Sequence, residues 1–173
     1  MRFYADDGTG GSDEKLATLA KLKLEFLHDV TLLNCPLVTD VGIQHLSEIK
    51  SLRLLQLEGT SITDEALETM ASKMNLTGIN VANCPKVTMR GLSRIASLET
   101  LDTFTFSAET LSQADVVSLI NEFKENVKWP AVVDVEGKLD AAALKAIAKE
   151  KGITLSVRRT GALQDIARGG GWQ

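Results

Sequence analysis

The stretch LHDVTLLNCPLVTDVGIQHL, residues 27–46, decides the fold. It returns as LRLLQLEGTSITDEALETM from Leu52 and as LTGINVANCPKVTMRGLSRI from Leu76, with starts 25 and 24 residues apart. Each copy reads L-x-x-L-x-L-x-x-(C/T), then a turn, then an amphipathic helix. A period of this length marks a repeat architecture. One strand–turn–helix unit cannot bury its apolar face alone, and stacked units bury a continuous core.

The helical half of the unit recurs beyond these three copies. Val38, Ile62, Val87, Leu111 and Leu139 serve as anchors, with Gly11 as a degenerate sixth. Five residues on stand Ile43, Leu67, Leu92, Val116, Leu144 and Leu16; eight on stand Leu46, Met70, Ile95, Leu119, Ile147 and Leu19. That spacing puts the apolar residues on one helical face. The residue after each anchor is Ser12, Thr39, Thr63, Thr88, Ser112 or Asp140. All six can accept from the orphan N–H groups that open a helix. Asp13, Asp40 and Asp64 then fall in a first turn, where the helix dipole favours a carboxylate.

Alternation assigns the strands. Val30/Leu32, Leu55/Leu57, Ile79/Val81 and Phe104/Phe106 point inward, a fifth strand runs through Val132–Val135 and a last one through Ile153–Val157. Met1–Thr9 holds a further strand, because GTGGSDEKL echoes GTSITDEAL around Gly59–Leu67. The chain therefore begins inside a unit, either the trimmed end of a longer array or a degenerate cap, with trimming favoured. Pro130 at an inward position removes a ladder donor and marks an irregular end of the array. The Ala-rich helix from Asp140 to Lys151, stopped by Gly152, reads as a terminal cover. Residues 1–159 form the repeat domain, of about six units with the first and last irregular. Residues 160–173 form a flexible tail in which Trp172 is a possible anchor.

The motif L-x-x-L-x-L-x-x-C-x-x-(I/V)-T-D-x-G-L resembles the cysteine-containing leucine-rich repeats, known from F-box substrate adaptors of ubiquitin ligases and from bacterial repeat proteins. The match is closest over Leu27–Ile95 and looser over Leu101–Ile147. The resemblance implies an α/β solenoid, a short right-handed arc with parallel strands on its concave face and helices on its convex face. It also implies a protein ligand held on the strand face or rim, and a buried, packing role for the cysteines. No F-box segment is present, and the cysteine position holds Cys35 and Cys84 but Thr60 and Glu109 in the other two repeats.

Catalytic and cofactor chemistry finds little support. Cys35 and Cys84 lie two repeats apart, so their Cα atoms are expected roughly 10 Å apart, beyond the ~7 Å reach of a disulfide. His28 and His45 fall on different parts of the surface, so no metal site is expected. GTGG near the start lacks the Lys-Ser/Thr pair and preceding apolar strand of a phosphate loop, and no dinucleotide or zinc-protease motif occurs. The chain is expected to be non-enzymatic and to carry no cofactor.

Composition agrees. The net charge is −4, which gives no bulk attraction to nucleic acid or anionic membrane. Six basic and two acidic residues from Lys145 onward leave +4 there and −8 elsewhere, a solvated end or a docking patch for an acidic partner. No apolar run reaches the ~20 residues of a membrane span, and no secretory leader is visible. The expectation is a soluble chain of open localisation, with the cytoplasm favoured.

The outward strand residues form three columns: Asp29, Leu54, Gly78, Thr103, Trp129; Thr31, Gln56, Asn80, Thr105, Ala131; and Leu33, Glu58, Ala82, Ser107, Val133. Uncharged polar groups fill the middle column, and Leu33, Leu54 and Trp129 offer apolar anchors, unless Trp129 tucks against Pro130. The expected binding set is Asp29, Thr31, Leu33, Leu54, Gln56, Glu58, Asn80, Thr103, Thr105 and Trp129. The expected function is a protein-interaction module. The alternatives are an assembly subunit of a larger complex and a fragment of a longer multidomain protein such as a ubiquitin-ligase-type substrate adaptor.

Overall fold

The computed structural model describes residues 1–123, 132–136 and 138–158. Strands and helices alternate strictly: β1 (Arg2–Asp6), α1 (Asp13–Lys21), β2 (Asp29–Leu33), α2 (Asp40–Leu46), β3 (Leu54–Gln56), α3 (Asp64–Lys73), β4 (Gly78–Val81), α4 (Met89–Ala96), β5 (Thr103–Ser107), α5 (Gln113–Glu122), β6 (Val132–Glu136), α6 (Ala141–Glu150) and β7 (Thr154–Arg158). The strands form one parallel sheet in chain order, β1 to β7. Each helix packs on the next, α1 on α2 through to α6. The described residues thus form an α/β molecule with one parallel sheet and one layer of helices.

The core lies between the layers. Val30, Leu32, Leu55, Leu57, Phe104 and Phe106 are each at most 1% exposed, and Ile79 and Val81 are 2% exposed. The helices contribute Leu16, Ile43, Leu67, Leu92, Val116 and Leu144, all buried. At ~1.5–3 kcal/mol for each large aliphatic side chain removed from water, these facing rows dominate the stability of the stack.

The six expected caps are the N-caps of α1 to α6. Five accept a hydrogen bond from the first turn of their own helix; Thr88 does not. The first helical residue has a second task besides favouring the dipole. Asp13, Asp40 and Asp64 each reach the N-cap of the following helix, and each binds both the amide and the hydroxyl of Thr39, Thr63 or Thr88 at 2.6–2.8 Å. Gly42 and Gly91 leave room for this bridge, since a Cβ at either would strike the Asp13 or Asp64 carboxylate. Met89 opens α4 without a carboxylate, and Ser112 is instead closed by its own capping box with Asp115. Gln113 resumes the bridge, exchanging two hydrogen bonds with the Asp140 main chain.

The turns after β2, β3 and β4 each place one residue in the left-handed region: Asn34 (φ 52°), Gly59 (φ 71°) and Asn83 (φ 55°). Asn and Gly are the residues that tolerate it. Gly152 (φ 71°) ends α6 in the same way, with Ile153 N–H reaching back to the Ala148 carbonyl and Gly152 N–H to that of Lys149.

Two expectations need correction. In the fifth unit the cysteine position belongs to Ala108, 3% exposed, whose carbonyl receives the Leu111 amide as Cys35 receives Val38 and Cys84 receives Val87. Glu109 lies outside, exposed. In β6 the sheet pairs Thr103 with Val132 and Phe104 with Val133. The expected column placed Trp129 opposite Thr103 and Val133 on the outer face. The strand instead sits three residues further along, and an odd slip also exchanges the faces. Trp129, Pro130, Ala131 and the tail lie outside the described residues.

Candidate functional site on the outer face of the sheet

The sheet face turned away from the helices carries the residues singled out by alternation. The register aligns Arg2, Asp29, Leu54, Gly78 and Thr103 in one row. Tyr4, Thr31, Gln56, Asn80, Thr105, Asp134 and Ser156 form the middle row. Across β2 to β5 these are the expected columns. Leu33 and Glu58 follow on the third row, with Asp6 opposite Leu33. Asp29, Thr31, Leu33, Leu54, Gln56, Glu58 and Thr105 are half-buried and Thr103 is exposed. Arg2, Tyr4 and Asp6 extend the same rows and were missed. The sequence carries the signal: one more step of the same counting along the strand at Met1–Thr9 sets Tyr4 opposite Thr31.

Neighbouring rows differ in chemistry. In the first, Arg2 Nε meets Asp29 Oδ2 at 3.1 Å, an exposed pair worth little in stability. Leu54 lies over Gly78, where a Cβ would collide with its Cδ2 and with Thr103 Oγ1 at 2.6 Å. The apolar contribution of Leu54 is therefore partly spent inside the face. Asn80 is only 9% exposed. Its Oδ1 accepts the Ala82 amide at 2.9 Å and its Nδ2 donates to Glu58 Oε2 at 3.4 Å. Asn83 donates to the other Glu58 oxygen at 3.3 Å, and Ser107 Oγ accepts the Asn83 amide. The Asn83 side chain thus bonds across strands, to Glu58 and to Ser107. Asn80 is a member of this network, whereas Thr31, Gln56 and Thr105 are the uncharged polar groups open to a ligand.

At the β1 end, Asp6 accepts from the Thr9 amide at 2.9 Å and from the Thr9 hydroxyl at 3.0 Å, which hold its carboxyl below the usual range. Tyr4 donates its hydroxyl to Asp6 at 3.1 Å, and this bond to a carboxylate raises the phenol above its ordinary value.

The thiols lie behind this face. Cys84 Sγ donates to the Leu57 carbonyl at 3.1 Å, and Cys35 Sγ to that of Leu33 at 3.4 Å. Burial pushes both thiols up, so neither is a ready nucleophile at neutral pH. Thr60 replaces the thiol in the intervening unit, its hydroxyl donating to the same Leu57 carbonyl at 2.8 Å. His28 Nδ1 lies 3.0 Å from the Ser51 carbonyl on the exposed loop before β2, and His45 is on α2. Among the described residues no group of three or more His, Cys, Asp or Glu side chains is placed to hold a metal. Among them, too, no helix is long and apolar enough to cross a membrane. In comparison with known proteins, the chain matches no protein-family model and shows no significant similarity to a curated protein.

Proposed function

We propose that the chain is a leucine-rich-repeat solenoid of the cysteine-containing type, and that it acts as a non-enzymatic module binding a protein partner across the outer face of its sheet. One observation carries the reading. The middle row places Thr31, Gln56 and Thr105 on β2, β3 and β5, with Asn80 of β4 between the last two and no described element covering them, flanked by the half-buried Leu33 and Leu54. Uncharged hydroxyl and amide groups are desolvated at small cost and pair with a partner's main chain, while the leucines add apolar contact. Sequential parallel strands, buried thiols and capped helices of the same period support the repeat assignment.

The test is affinity capture from the native source with the unaltered chain and with a Thr31→Arg, Gln56→Arg double variant. The expected result is a protein retained by the first and lost by the second, with thermal unfolding unchanged. Equal retention by both overturns the outer-face assignment. A second reading, an assembly subunit of a larger complex, draws on a separate observation. Among the described residues the large hydrophobics that are exposed, Met1, Tyr4, Leu22, Phe26, Leu37 and Val41, all fall within the first two units.

A further inference from the structure

In this sheet the outer-face residues direct their main-chain groups to the preceding strand. The Asn80 and Ala82 carbonyls accept from Leu57 and Gly59 at 2.8 and 3.0 Å, and the Glu58 carbonyl accepts from Asn34 at 2.8 Å. In β1 the outer-face residues are Arg2, Tyr4 and Asp6, and among the described residues β1 pairs only with β2. Their main-chain groups therefore point away from the sheet. Asp6 closes its own: its N–H donates to Thr9 Oγ1 at 2.7 Å and its carbonyl accepts from Gly10 at 2.8 Å. Arg2 and Tyr4 are left with two N–H and two C=O groups presented outward.

We propose that this edge pairs with the same edge of a second copy of the chain, antiparallel, about a two-fold axis at Phe3. Arg2 then stands opposite Tyr4 of the other copy, and Tyr4 opposite Arg2. In an antiparallel ladder such directly opposed residues exchange both main-chain bonds, and the residue between them forms the close non-bonded pair. Four main-chain hydrogen bonds result, and they use all four outward groups.

The side chains favour a second copy over an unrelated peptide. On the outer face Arg2 is 70% exposed at its side chain and Tyr4 is 53% exposed. Each guanidinium meets the partner's Tyr4 ring, with the partner's Asp6 carboxylate on the diagonal, within reach of a long side chain. Among the described residues Asp6 has no cation within ion-pairing distance. The order of charge along Arg2–Asp6 runs from plus to minus, so only a strand read in the opposite sense complements it, and β1 itself is such a strand. On the helix side, Phe3 faces its own copy. It lines a groove with Thr18, Leu19 and Leu22 that opens at the same edge, and Leu22 is 60% exposed. Identical surfaces joined by a two-fold axis close after two copies and build no filament.

The inference does not rest on the ligand reading of the outer face, since its residues lie in β1. Sedimentation of the chain without an N-terminal tag, over rising concentration, is the test. A monomer–dimer equilibrium is expected, and Arg2→Glu, which sets a like charge beside the partner's Asp6, abolishes the dimer without altering the far-ultraviolet spectrum. A chain monomeric at every concentration, or an Arg2→Glu variant that dimerises like the parent, overturns the proposal. Register is read by mixing Arg2→Cys and Tyr4→Cys proteins under mild oxidation. Mixed disulfides in excess of either homodisulfide are expected. Homodisulfides of Arg2→Cys in their place overturn the pairing. A monomer that captures an extended peptide at β1 assigns the edge to that other occupant and overturns it as well.

Discussion

Asp13 and Thr39 belong to successive units and share a two-point bridge: Asp13 Oδ1 accepts the Thr39 amide at 2.8 Å and Oδ2 accepts its hydroxyl at 2.6 Å. The same bridge joins Asp40 to Thr63 and Asp64 to Thr88. One carboxylate thus serves two helices, favouring the dipole of its own and satisfying the cap of the next. This couples stacking to helix initiation. Hydrogen bonds to a charged group contribute about 1.5–3 kcal/mol each when partly shielded from water.

Removing the central bridge tests this coupling. Asp40→Ala is expected to destabilise the fold by about 2–3 kcal/mol, and Asp40→Asn, which keeps one acceptor, by less. The measurement is equilibrium unfolding in urea. Combined with Thr63→Val, the Asp40→Ala loss should be far from additive, because both changes delete one interaction. Additive losses would mean that the two residues act separately.

Asn80 separates fold from ligand surface. Replacing it with alanine leaves the Ala82 amide without its acceptor and Glu58 without one donor. Asn80→Ala is therefore expected to lower stability by about 1–2 kcal/mol. Gln56→Ala, at a half-buried position with no such network, should stay within about 0.5 kcal/mol of the parent. Comparative thermal melts decide this. If Asn80→Ala melts with the parent, Asn80 is a free surface group and returns to the set of ligand contacts.

Much of this was legible in the sequence, and the failures share a cause. Cap residues act within three positions of themselves, so Ser12, Thr39, Thr63, Thr88, Ser112 and Asp140 could be read locally. The inward pairs of β2 to β5 follow from a period of two beneath a leucine pattern. The Asp bridges join residues 23 to 26 positions apart, and the dipole already supplied a sufficient local reason for a carboxylate there. In β6 the run Val132-Val133-Asp134-Val135 has apolar residues in both phases, so alternation alone could not choose the face. The partner strand does, by setting Val133 against Phe104. The burial of Asn80 likewise depends on Glu58 one strand away.

The thiols give a chemical check on the layered arrangement. Cys35 and Cys84 are 1% and 7% exposed, and burial raises both. Reaction with a small aromatic disulfide at pH 8 is expected to be far slower in the folded chain than in urea, with both thiols released together on global unfolding. Gly11→Ala should accelerate it, because a Cβ there would lie 2.6 Å from Cys35 Sγ and force the packing apart. Folded protein that labels at the unfolded rate would contradict the burial of the sulfur atoms.

Stability should also fall at both ends of the pH scale, for reasons that can be signed. Asp115, Asp6 and Glu68 are held below their ordinary values, chiefly by Ser112, Thr9 and Arg94 respectively. A carboxyl lowered in the folded state contributes fully above its unfolded pKa, about 4. That contribution is lost as pH falls through the lower folded value, so the melting temperature should hold near pH 6 and drop below about pH 4. The buried thiols and Tyr4 are raised, so theirs is complete below the unfolded values of about 8.5 and 10 and fades as pH climbs beyond them. Melting followed by circular dichroism from acid to alkali checks both limbs. Asp115→Ala should lower stability at pH 7 and flatten the acid limb, since the variant has one less carboxylate to protonate. An acid limb as steep as the parent's would remove the Ser112–Asp115 box as a source of the acid response.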